Sequence, residues 1–67
     1  MTNDWLKAFI SSDAMKCELV KQVLIDNEID AVILNKQGYP YNFGEVEVLV
    51  HPDNFAAAQD IILKAEL

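Results

Sequence analysis

From Trp5 to Ser11 the residues WLKAFIS alternate, with Leu6, Ala8 and Ile10 on one side and Trp5, Lys7 and Phe9 on the other. A period of two predicts a strand. Ser11, Ser12 and Asp13 follow, supplying hydroxyl and carboxylate caps just before a segment of helical period. A helix is expected from about Asp13 to Asn27. Its core stripe would hold Ala14, Cys17, Val20, Val23 and Leu24, with Glu18, Gln22 and Asp26 opposite. Met15 and Leu19 fall outside this stripe and start a second, narrower apolar strip that continues to Val23.

The run DAVILN, Asp30 to Asn35, is short and β-branched with turn residues at both ends, which predicts a second strand. GEVEVLV, Gly44 to Val50, sets Val46, Val48 and Val50 against Glu45, Glu47 and Leu49 and predicts a third. HPDN then opens a last helix, because proline is tolerated in a first turn and Asp53 suits the positive helix pole. Phe55, Ala58, Ile61, Ile62 and Ala65 form its expected buried stripe.

Strand, helix, strand, strand, helix is an α+β order. A right-handed crossover with the third strand inserted antiparallel between the first two gives sheet order 1-3-2, with both helices on one face. This βαββα unit is a ferredoxin-like fold that lacks its fourth strand. The chain of 67 residues is read as a single domain, 1–67, since a chain this short does not support two cores.

Charge narrows the possible partners. Five lysines stand against 11 acidic residues, for a net charge of −6, and arginine is absent. The acidic field and the missing guanidinium forks oppose binding to nucleic acid or to anionic membranes. The apolar runs are far shorter than the ~20 residues that cross a bilayer, and the start MTNDW lacks the basic end of a signal peptide, so a cytoplasmic location is expected. Cys17 and His51 are the single cysteine and histidine. They allow neither an internal disulfide nor a four-ligand zinc site within one chain, and no cofactor is expected.

The Trp5 strand, the run SSDAMKCELVKQVLIDNEIDAVI, the run GEVEVLVHPDN, and Ala58 with Ile61 and Ile62 together resemble the prokaryotic signal-transducing proteins. These are short bacterial domains of unknown function grouped with the PII-like regulators. The resemblance covers nearly the whole chain and implies a PII-like, ferredoxin-like fold with a signalling role. PII-like regulators bind nucleotide with basic residues and glycine-bearing loops; the chain has no arginine and no phosphate-cradling motif, so no nucleotide-binding residue carries over.

Candidate chemistry is sparse. KQGYPYNFG, between the second and third strands, places Tyr39, Tyr41 and Phe43 at alternate positions, either as anchors for a protein partner or as rings folded back on the sheet. Trp5, Lys7 and Phe9 are expected on the sheet face that the helices leave open, as part of a homodimer interface. The outer edge of the first strand, Leu6 to Ile10, is expected to pair with a second copy, with Met15 and Leu19 as the alternative surface. Cys17, mid-stripe, reads as a small buried hydrophobe, and His51 as either a cap or a plain turn residue at a strand-to-helix junction. Glu45 and Glu47 share the open face and read as a solvated pair rather than as acid and base. The expected function is a non-enzymatic regulatory or signal-transducing domain acting through protein contacts as a homodimer, with no catalytic residues. The alternative is a small-ligand sensor resembling the ACT domains, with an amino acid or nucleotide bound.

Overall fold

The computed structural model describes residues 4–37 and 44–65. Tyr39, Tyr41 and Phe43 lie outside the described residues. Three strands, β1 (Leu6–Ser11), β2 (Ala31–Asn35) and β3 (Val46–Val50), alternate with the helices α1 (Ala14–Asp26) and α2 (Phe55–Ala65) in the order βαββα. A short 3-10 turn, Pro52–Asn54, leads into α2. The sheet order is β1-β3-β2, and β3 runs antiparallel to both neighbours, as the element order predicts. No helix among the described residues is long and apolar enough to cross a membrane.

Local chemistry sets both ends of α1. Asp13 Oδ1 accepts from the backbone N–H groups of Met15 (3.0 Å) and Lys16 (3.2 Å), two donors that the first turn would otherwise leave without partners. Ser11 Oγ accepts from the Asp13 amide and fixes the cap itself. At the far end the Glu28 amide donates to the Ile25 carbonyl and the Ile29 amide reaches back to Leu24, both at 2.9 Å, which closes a Schellman motif. Leu24 and Ile29 are both in the core, the apolar contact that usually accompanies this closure. The motif needs a left-handed residue after the cap, and Glu28 takes it with φ of 66°, where glycine would be unstrained.

The core forms where both helices meet one face of the sheet. Val46, Val48 and Val50 of β3 are buried with Cys17, Val20 and Leu24 of α1 and Ala58 of α2. Phe55, Ile61 and Ile62 pack partly against this cluster, whereas Ala65, expected in the α2 stripe, is exposed at the end of the helix.

The first strand departs from strict alternation. Lys7 lies opposite Leu49 but Phe9 lies opposite Val48, so Ala8 is an extra residue without a cross-strand partner. Beyond this bulge the faces exchange. Phe9 packs against the core, and Ile10 takes the open face, 44% exposed. The expected place of Phe9 on the open face beside Trp5 and Lys7 is therefore corrected. The bulge also interrupts the β1 edge that was expected to pair with a second copy, and the Ala8 carbonyl accepts from Gln59 Nε2 of α2 at 2.7 Å.

Two stability changes follow from this packing. Val48→Ala should cost about 1 to 3 kcal/mol in chemical denaturation, since it empties a fully buried site between sheet and helices; an unchanged midpoint would show that β3 faces the other way. Glu28→Gly should instead stabilise by roughly 0.5 to 1 kcal/mol, because it relieves the left-handed strain with no buried side chain lost. A Glu28→Gly variant that melts below the parent would contradict this account of the α1 terminus.

Candidate functional site

Both helices cover one sheet face, and among the described residues the other is formed by the strands' own side chains. On β3 that face carries Glu47 and Leu49, on β1 Lys7 and Ile10, and on β2 Val32 and Leu34, as the ladder pairing requires. Ile10 and Leu34 flank Glu47 directly across the two ladders. The lysines reach it from diagonal positions: Lys7 Nζ lies 3.3 Å and Lys36 Nζ 3.2 Å from the same oxygen, Glu47 Oε2. Lys36 is placed by the continuation of the β2 ladder, where its amide donates to the Glu45 carbonyl at 3.0 Å. Gly44 makes room for this approach, with φ of 112° and a position at which a Cβ would come 2.9 Å from the Lys36 carbonyl oxygen.

The expectation of two solvated acids holds for Glu45, which is exposed, and fails for Glu47, which is only 3% exposed. On the central strand a side chain has neighbours on both flanks, and the stems of two lysines add to the cover. Desolvation is the largest single influence on the carboxyl and raises its pKa; hydrogen bonds from Lys36 and Lys7, together with their charge, outweigh it and hold the group below its ordinary value. Oε1 is buried and has no hydrogen-bond partner among the described residues. A carboxylate clamped by two ammonium groups is a weak proton acceptor, so the arrangement suits charge pairing better than general base chemistry.

The other candidate residues separate. Trp5 meets the His51 ring edge to face, with centroids 6.2 Å apart. His51 Nδ1 accepts from the Asp53 amide at 3.1 Å, which is the capping role rather than the plain turn. The Asp53 carboxylate lies 3.6 Å from that same nitrogen, but a nitrogen that accepts the amide proton carries none to share, so the cap and an ion pair there exclude each other. Cys17 is fully buried, donates weakly to the Val46 carbonyl (3.4 Å), and has its thiol pKa pushed up chiefly by burial, all consistent with a packing role. Met15 and Leu19 are exposed on α1, 74% and 53%, on the side of the sheet away from Lys7.

No family model matches the chain, and no curated protein or solved structure matches it. The site is therefore described by its own chemistry: exposed Ile10, Val32 and Leu34, with half-buried Leu49, around a lysine-clamped carboxylate. The sequence reading missed Ile10, Val32, Leu34 and Lys36. The period-two pattern of Val32 and Leu34 was available, but placing Lys36 beside Glu47 requires the hairpin register.

The ion cluster makes stability depend on acid. A carboxyl whose folded pKa is depressed contributes stability above its unfolded value, and that contribution is lost as pH falls through the folded value. Wild type should lose stability on acidification below about pH 4.5 more steeply than Glu47→Gln. Equal slopes in chemical denaturation at a series of pH values would show that Glu47 is not held by Lys7 and Lys36.

Proposed function

We propose that this domain is a non-enzymatic regulatory or signal-transducing module, cytoplasmic, that acts through protein contacts and works as a homodimer. The observation that carries the proposal is the sheet face opposite the two helices, where three exposed aliphatic side chains border the Lys7–Glu47–Lys36 cluster. Exposed aliphatic side chains set beside a charged cluster are a common feature of protein interaction surfaces. No pocket is formed among the described residues, so this face is open rather than concave. The resemblance of the chain to the prokaryotic signal-transducing domains with PII-like architecture favours the regulatory role. A small-ligand sensor of the ACT kind, with its ligand held between subunits, is the competing reading.

Thermal melting against a panel of nucleotides and amino acids separates the two. A ligand at a hundredfold excess over its dissociation constant stabilises by ~2.7 kcal/mol, which in a domain of this size raises the midpoint by about 10 °C or more. A flat panel together with self-association in sedimentation is the expected result. A shift of that size with one ligand class would overturn the protein-contact reading in favour of the sensor.

A further inference from the structure

The two edges of the sheet are not equivalent. β1 is interrupted by the Ala8 bulge and tied to α2 through Gln59, both of which blunt it. β2 keeps an unbroken register with β3 from Ala31 to Asn35, and within those residues it has no proline, no charge and no bulge. The Lys36 amide bonds to the Glu45 carbonyl, so the hydrogen-bonded rungs of this antiparallel ladder fall at Lys36, Leu34 and Val32. The alternate residues, Ala31, Ile33 and Asn35, then turn their N–H and C=O groups outward. Those groups have no partner among the described residues.

We infer that the β2 edge is the site at which a second copy of this chain adds, antiparallel and centred on Ile33, to give one continuous sheet of six strands, three from each copy. The inference deepens the proposed homodimer and rests on it. The charge pattern selects a second copy over an unrelated strand. Asp30, Val32, Leu34 and Lys36 occupy alternate positions and so form one row on the open face. With Ile33 opposite its own counterpart, that row meets itself reversed. Asp30 then faces the second copy's Lys36 at one end, Lys36 faces the second copy's Asp30 at the other, and Val32 and Leu34 meet Leu34 and Val32 between them.

In this register Ala31, Ile33 and Asn35 fall on hydrogen-bonded pairs and exchange their outward N–H and C=O bonds. Val32 and Leu34, 45% and 43% exposed in one copy, fall on the non-hydrogen-bonded pairs where cross-strand side chains approach most closely. Lys36 is half exposed while bonded to Glu47, and its ammonium keeps further donors for an acid across the junction. The pairing also joins the two open faces into one surface, with an ion cluster on each side of the seam.

Sedimentation equilibrium and amide exchange test the inference on the intact chain. Wild type should associate to a dimer, and the Ala31, Ile33 and Asn35 amides should exchange at least about tenfold more slowly above the dissociation constant than on dilution below it. Asn35→Pro removes an outward donor at an exposed position and leaves the backbone bonds to β3 in place, giving up besides only the Asn35 Oδ1 bond from the Gln37 amide; Asp30→Lys sets like charges opposite each other at both ends. Each should raise the dimer dissociation constant by roughly tenfold or more. A dimer that both variants leave unchanged, with fast exchange at the three amides, would overturn the β2 interface while the homodimer reading stands. A wild type that remains a monomer at millimolar concentration would overturn both. The exchange measurement decides the matter on wild type if either variant fails to fold.

Discussion

Val46, Val48 and Val50 lose their solvent because β3 is paired on both edges and covered on one face, and the remaining elements are arranged around that condition. A central strand can bury one alternate set of side chains under helices, and the opposite set must then be accommodated on the far side of the sheet. α1 and α2 are enough to cover the valines. They leave Glu47 and Leu49 on the uncovered face, where Glu47 is flanked by aliphatic side chains and needs countercharge. Lys7 and Lys36 supply it from the two outer strands, so the ion cluster also ties the three strands together across their exposed side.

The same condition makes the outer strands behave differently. β1 must serve α2 as well as β3, and the Ala8 bulge lets it do both: it turns Phe9 inward against the core and offers a carbonyl to Gln59. The cost is a broken edge. β2 meets α1 and β3 without interruption, so its backbone stays regular and its outer hydrogen-bonding groups stay aligned. Regularity gives the hairpin a well-defined register, and it also leaves the edge suited to strand addition.

Charge has a different meaning at the two scales. Taken whole, the chain is acidic, with a net charge of −6, and repels other anions at long range. Over a few ångströms at the centre of the open face, two ammonium groups meet one buried carboxylate, while the exposed Glu45 and Asp30 return acidic charge to the same face. Contacts at this face therefore meet both signs of charge close together.

Much of the architecture was legible from periodicity. The alternation of Val46, Val48 and Val50 and the helical spacing of Cys17, Val20 and Leu24 are local patterns, and each identifies its buried face without reference to the rest of the chain. The Asp13 cap and the His51 turn were legible for the same reason, since each bonds to backbone two or three residues away. The Ala8 bulge was not, because no glycine marks it and it shows only in the pairing of β1 with β3, distant in sequence. Nor was the burial of Glu47, which depends on Lys7 and Lys36 arriving from two other strands at diagonal positions. Which elements form and which faces they bury follow from local preferences, which act within a few residues. Where alternation breaks, which acid is clamped and which sheet edge stays regular emerge only on folding, because each depends on contacts between residues far apart along the chain.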